Sequence, residues 1–552
     1  TLHVSEGSLL TRKRRNDIIN NGTFSFLTGE NMSNDYVLAI DFGTQSVRAI
    51  IYNDRGMEIC KAKVPFTPYF SLNSGWAEQH PEVYWENMIK AIRRVKEEYP
   101  LGFDRVVAVG VTTIRDTITF VDKNNKVLRP FIVWLDEREC SHVEDAIPLS
   151  QKIVLKFAKM YEPYCGIRKV TKMNWVHENE PEVWNNTHKI IQLSGYINLR
   201  LTGNLVDSVA SQIGHLPFDY KHQKWQTKKV INTYLTDAGA EKMVDLVDST
   251  SVIGHITAEA AAETGLKEGL PVIACGSDKG CETFGSGVLG CDKASISMGT
   301  TATIQFTTQK YVEPEAFMPP YPAVIKGLYN PEVEIFRGCW MVTWFKEQFG
   351  ERECARAAEL GCSPEELLDE LLDQTPVGNE GLVLQPYWSP KIKIPWAKGT
   401  MIGFSDVHTR AHFYRAIIEG IGFGLYEGLM SMQQRAGYNI KSIMISGGGS
   451  LSDRVCRIIA DILGLPICKT QTYENSALGC AMLTYMGLGT FKTPQQAISH
   501  MVHEDKCYMP DMKNHEKYMQ LYHTVYERVY RKNRKTFMNI RAYNRKYPVP
   551  KS

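Results

Sequence analysis

Tyr36 to Gly56 read YVLAIDFGTQSVRAIIYNDRG. Tyr36, Val37, Leu38, Ala39 and Ile40 are a short continuous apolar run, which suits a strand buried on both faces, and Val47 to Tyr52 are a second. The turn between them holds Asp41, Gly43, Thr44, Gln45 and Ser46. Gly43 lets the backbone approach a ligand closely, while the hydroxyl, amide and main-chain donors of Thr44, Gln45 and Ser46 can converge on an anion. That combination suits phosphate. A carboxylate beside a phosphate is repulsive unless a cation stands between them, so Asp41 predicts Mg²⁺ held directly or through water. Arg48 completes the charge balance. An ordinary β-hairpin whose Asp and Gly simply make the turn has the same pattern, so corroboration must come from further along the chain.

At 552 residues the chain exceeds the size at which one core usually stops growing, about 300 residues, and two large domains are expected. It is 43% hydrophobic and 22% charged with a formal charge of +2, a globular balance that demands no polyanionic partner. Neither a nucleic-acid nor a membrane partner is expected. The 13 cysteines include no CxxC pair, and Cys275, Cys281 and Cys291 lack zinc-like spacing. They read as buried thiols in a reducing compartment. With no apolar run of membrane-spanning length and no secretory signal, the expectation is a soluble cytoplasmic protein.

Residues 1–34 show no clear amphipathic period and carry one basic cluster, Arg12 to Arg15, which reads as a solvated, disordered extension. Met32, just ahead of the first strand, has the look of an alternative start. Beyond the hairpin, GWAEQHPEVYW (75–85) leads into a charged helix ending near Tyr99. RVVAVGVT (105–112) is another buried strand and delivers Arg115 and Asp116 to its C-terminal end, where α/β sheets bind ligands. An adjacent Arg and Asp suit a polyhydroxy substrate, and equally a strand-end ion pair. In FIVWLDERE (131–139) Trp134 can cover the apolar side of a small polyol. Residues 151–250 are helix-rich and offer little chemistry.

Pro271 to Ala274 is a short strand opening into Gly276, Ser277, Asp278 and Lys279, with a helix to about Phe284. Asp278 at that strand end can accept the proton of an attacking hydroxyl, or simply cap the helix. Gly285, Gly287 and Gly290 match the dinucleotide fingerprint, but they follow a helix instead of a strand and are discounted. ASISMGTTATIQ (294–305) then repeats the opening design, with a Gly299-Thr300-Thr301 turn between two strands. Two phosphate-type hairpins suggest a duplicated fold with a nucleotide held between the halves. A strand at Ile443 to Ile445 enters Gly447, Gly448 and Gly449 before a helix near Ser452, a turn that can receive part of a nucleotide. Another helix begins at Glu474 or Asn475, and a basic helix from Asn514 packs Tyr518, Leu521 and Val525 inward.

Together DFGTQSVR, GWAEQHP, TTIRDT, FIVWLDERE, GSDKG, SMGTT, HTRAHFYRAIIEG and SGGGSLSDR with ENSALGCAML resemble the FGGY carbohydrate kinase family, from about Tyr36 to about Gly489. The resemblance implies an α/β fold of two ribonuclease-H-like (actin/hexokinase-type) domains, here 35–290 and 291–552, with a catalytic cleft between them. It implies transfer of the γ-phosphate of ATP, with Mg²⁺, to a hydroxyl of a ketose or polyol. By position Asp278 matches the general base and a metal-linked acid, and Asp41 the magnesium-linked acid. Thr44, Gln45 and Arg48 match the first phosphate motif, Gly299, Thr300 and Thr301 the second, and Gly447, Gly448 and Gly449 the adenosine motif.

Arg115-Asp116 with Trp134 is most similar to the glycerol kinase pattern, which has Arg-Glu, and the Met-His of xylulose kinases is absent. Lys279 stands where glycerol kinases have Gln, and the segment 166–172 is shorter, removing a tyrosine that helps hold glycerol. The implied substrate residues are therefore Arg115, Asp116, Trp134, Asp278 and Lys279, around a polyol or sugar that need not be glycerol. A homodimer is compatible with this reading. The rival reading is a catalytically silent ATP-binding regulator or scaffold of the same fold, which would be expected to have lost Asp278.

Overall fold

The computed structural model describes residues 35–315, 318–388 and 396–547. The expectations for residues 1–34 lie outside the described residues. Strands β1 (Tyr36–Phe42), β2 (Ser46–Tyr52), β3 (Glu58–Pro65), β4 (Val106–Thr113), β5 (Val252–His255) and β6 (Pro271–Ile273) form a six-stranded sheet in the order β3-β2-β1-β4-β6-β5. Strands β7 (Lys293–Met298), β8 (Ala302–Gln305), β9 (Glu332–Ile335), β10 (Ser442–Ser446), β11 (Ile467–Thr470) and β12 (Glu504–Tyr508) form a second in the order β9-β8-β7-β10-β11-β12. Read in these orders, both sheets pair antiparallel, antiparallel, parallel, parallel, antiparallel. The duplication suggested by two hairpins therefore extends to every pairing in the sheets.

The helices that position the cleft are α1 (Pro81–Glu98), α2 (Asp278–Gly285), α3 (Arg410–Ala436), α4 (Asp453–Leu463), α5 (Asn475–Gly487), α6 (Met512–Thr524) and α7 (Val529–Lys546). Strand alternation sorts the apolar run of β1 between two cores. Leu38, Ile40 and Phe42 pack with Tyr84, Met88, Ile92 and Val95 of α1, while Val37 and Ala39 face Ala477, Leu478 and Ala481 of α5. Helix α5 lies in sequence between β11 and β12 of the second sheet yet packs beneath the first, against β1, β4 and α2. Helix α3 is the long support of the second sheet, with Ile417, Ile421 and Leu425 in its core.

Several expectations change in detail. The C-terminal basic stretch is two helices: Tyr518 is buried on α6, and the Lys- and Arg-rich segment is α7. The cysteines are not all free thiols, because antiparallel register places Cys468 of β11 directly opposite Cys507 of β12, and the two are disulfide-bonded. Nor are all the others buried, since Cys291 is exposed. Among the described residues no helix is long and apolar enough to cross a membrane.

Candidate active site

A cleft of about 1400 Å³ opens where the two sheets face one another. Its lining includes Asp41, Thr44, Gln45 and Arg48 from the first hairpin, and Gly299, Thr300 and Thr301 from the second. Arg115, Asp116, Trp134, Asp278, Lys279, Gly447 and Gly448 join them. Gly449 is not on this surface: a Cβ there would point at Met298 Cβ (2.9 Å) and Cys339 Sγ (3.1 Å), so it serves close packing behind the turn.

The β1–β2 register sets Asp41 opposite Arg48, and the guanidinium lies 3.0 Å from the carboxylate. Arg48 Nε is also 3.0 Å from Glu474, the residue just ahead of α5. Burial pushes the Asp41 carboxyl up to about 6, Arg48 pulls it back, and the nearby acids Glu474, Asp278 and Glu282 push it further up. Asp278 opens α2, but the cap is Ser277, whose hydroxyl accepts from the Gly280 N–H. The Asp278 carboxylate accepts from the Lys279 N–H at 2.8 Å. Burial raises the Asp278 carboxyl, and Arg115 and Lys279 restrain the rise.

Adjacent in sequence, Arg115 and Asp116 part company in the fold. Arg115 reaches Glu332 (2.9 Å) and Glu334 (2.7 Å) of β9, with Nε 4.0 Å from Asp278. Asp116 has a left-handed backbone (φ 50°), and its carboxylate is bonded by Lys172 and lies 3.8 Å from His215 Nδ1. Gly214 is forced by this arrangement, since a Cβ there would stand 2.5 Å from an Asp116 carboxylate oxygen. The Trp134 indole N–H donates to Thr44 Oγ1 at 3.1 Å, fixing the ring against the first turn. The Lys279 ammonium is taken up by Glu282 (2.8 Å) and by Ser297 of β7.

Residues 36–285 match the model of the FGGY family of carbohydrate kinases, N-terminal domain, and residues 294–488 match that of its C-terminal domain. The chain belongs to the FGGY family of carbohydrate kinases. It is 28% identical over 511 residues to a xylulose kinase of Staphylococcus epidermidis, covering 91% of this chain and 98% of the relative. It is 25% identical over 502 residues to a glycerol kinase of Deinococcus radiodurans, covering 87% and 94%. The crystal structure of gluconate kinase from Lactobacillus acidophilus shares the fold, with a TM-score of 0.77 at 21% identity over 92% of this chain and 99% of that one. This FGGY kinase is a phosphotransferase acting on an alcohol group of a sugar or polyol.

Sequence reasoning missed several residues of this FGGY cleft. Residues 151–250, read as chemically quiet, supply His215 and Tyr220 to the lining and the buried Lys172 that holds Asp116. Burial lowers the His215 imidazolium despite Asp116 beside it. Asp207, buried behind that loop, accepts from Ser194, Gln212 and Ser208 and ties the segment in place. Glu332 and Glu334 carried a signal that went unread. In EVEI, Val333 and Ile335 alternate into the core, so both acids share the opposite strand face. Burial pushes the Glu332 carboxyl well up, whereas Glu334, despite its own burial, is held down by the Glu332 hydrogen bond and Arg115.

Proposed function

We propose that this FGGY kinase transfers the γ-phosphoryl group of ATP, as its Mg²⁺ complex, to a hydroxyl of a small polyol or ketose. The observation that carries the reading is the convergence of two repeated hairpin turns on one cleft with a half-buried acid, Asp278, at the start of α2. Asp278 accepts the proton of the attacking hydroxyl, and burial makes it a stronger base than a surface carboxylate. Thr44 and Gln45 on one side, and Gly299, Thr300 and Thr301 on the other, hold the phosphates between them. Gly447 and Gly448 receive the adenosine, with Gly449 supporting them from behind.

Arg48 orients Asp41 from its place between Asp41 and Glu474. Asp41 and Asp278 stand in a cleft that already contains Glu282 and Glu474, and this crowding of hard oxygen donors fits a divalent cation. Bound there, Mg²⁺ would neutralise charge on the transferring phosphoryl group. At the acceptor end Trp134 covers the apolar side of the substrate, while its hydroxyls donate to carboxylates held in place by cations, Asp116 by Lys172 and Glu334 by Arg115. Lys279 acts indirectly, tying α2 to β7 through Ser297. Residues 35–290 contribute Asp278 and the Trp134 and Asp116 side of the acceptor site, and residues 291–552 its Glu334 side, the second phosphate turn and the adenosine turn. A cytoplasmic setting, where ATP and Mg²⁺ are at hand, fits this chemistry.

The test is ADP release by the purified protein with Mg²⁺ and ATP across a panel of polyols and ketoses. Strong turnover with one acceptor, lost in Asp278→Asn, supports the reading. Silence across the panel with ATP still bound would overturn it in favour of a nucleotide-binding regulator.

A further inference from the structure

Both terminal nitrogens of the Arg115 guanidinium are committed to protein acids. Nη1 lies 2.9 Å from Glu332, Nη2 donates to Glu334 at 2.7 Å, Nε stands 4.0 Å from Asp278, and the plane lies over Tyr321 at 5.2 Å. A planar, doubly donating guanidinium is the natural seat for a substrate carboxylate. Here that seat is occupied by acids of the protein itself. The other two cations at this end are committed too: Lys172 is bonded to Asp116, and Lys279 to Glu282 and Ser297. Lys221, Lys224 and Lys228 also line the cleft but are exposed, where water and salt screen them.

Glu332 is nearly inaccessible, whereas Glu334 lines the cleft with 17% of its side chain exposed. Its carboxylate therefore presents an acceptor to whatever occupies the space beside Arg115 and Asp278. Sugar hydroxyls can donate to it. A sugar carboxylate cannot, and would meet the Glu334 and Asp278 carboxylates beside a guanidinium they already face.

We propose that Glu334, backed by Glu332 on the Arg115 guanidinium, determines the acceptor: uncharged polyols and ketoses are taken and sugar acids are turned away. This rests on the kinase reading above. Acceptor selectivity is then a property of β9, on the opposite sheet from Arg115 and Asp116, and is assembled only when the two sheets face one another.

The experiment compares matched acceptors in which one terminal CH₂OH is replaced by a carboxylate: glycerol with glycerate, xylitol with xylonate, and glucitol with gluconate. Both kcat/KM and calorimetric binding are read for wild type, Glu334→Gln and Glu332→Gln. Wild type should favour the neutral member of its preferred pair by on the order of 100-fold or more. Glu334→Gln should raise the neutral acceptor's KM about tenfold with less effect on kcat, and narrow the neutral-to-acid ratio at least about tenfold by freeing Arg115. Glu332→Gln, which keeps the cleft-facing acid, should change KM less. Wild-type preference for an acid, or an unchanged ratio in a folded Glu334→Gln, would overturn the proposal. If no acceptor is turned over, the kinase reading fails by that result alone. The binding data still decide selectivity, tighter binding of the acid members counting against it and of the neutral members for it.

Discussion

A Cβ on Gly479 would stand 2.0 Å from the carbonyl oxygen of Cys281, and one on Gly285 would stand 2.0 Å from that of Asn475. Helices α2 and α5 thus cross with their backbones in contact, and Asp278 is the first residue of α2. Gly479→Ala should force the helices apart, lowering stability by about 1–3 kcal/mol. The shift at Asp278 should reduce kcat by on the order of 10²-fold. Urea denaturation and steady-state kinetics check the two effects. A variant as active as wild type would show that the crossing does not position Asp278.

Asp278→Asn keeps the size of the side chain and removes its basicity. Turnover should fall by about 10²–10⁴-fold, with ATP binding by calorimetry nearly unchanged. Retention of the wild-type rate would mean that the proton leaves by another route.

A divalent cation bound beside Asp41 would relieve its crowding by Glu474, Asp278 and Glu282. Chelation with EDTA should abolish turnover, and added Mg²⁺ should restore it. Asp41→Asn should raise the Mg²⁺ concentration for half-maximal activity by about 10–100-fold. An unaltered Mg²⁺ requirement would place the cation elsewhere.

Asp207 offers a pH test away from the chemistry. Burial pushes its carboxyl up to about 6 from an ordinary value of 3.8, although Ser194, Gln212 and Ser208 donate to it. The folded state then holds the proton more tightly than the unfolded chain. The stability this contributes is present below about pH 4 and lost as pH rises through about 6. Asp207→Asn removes that dependence, so the variant should gain on wild type by up to about 3 kcal/mol between pH 4 and 7. Urea midpoints at the two pH values give the answer; parallel curves would mean an ordinary carboxyl.

Two of the 13 cysteines are joined, Cys468 to Cys507. Thiol titration of the denatured protein should give 11 groups without reductant and 13 with it, by subtraction of that one pair. Thirteen in both samples would show that the pair is open in solution.

Much of this protein was legible in its sequence because the decisive elements are local. A continuous apolar run such as Val37 to Ile40 specifies a doubly buried strand by itself, and a Gly-Thr turn between two such runs specifies a hairpin. Two copies of that hairpin announced the duplication that the sheet pairings then repeat. Asp41, Thr44, Asp278 and Thr300 all reach the cleft, since each is placed by the end of its own strand or the start of its own helix.

What remained hidden depends on pairs distant in the chain. Nothing near Arg48 points to Glu474, nor near Arg115 to Glu334, nor near Asp116 to Lys172. Arg115-Asp116 looked like neighbours sharing one substrate, yet the left-handed turn at Asp116 sends the two side chains to different partners. The sequence by itself determined the strands, the turns and the acid that opens α2, because backbone sterics and hydrophobic period act over a few residues. Only the tertiary structure decided which charges are neutralised and which face the acceptor. A buried charge is stabilised by whichever opposite charge and donors the packing brings within a few ångströms, however far away they lie in sequence.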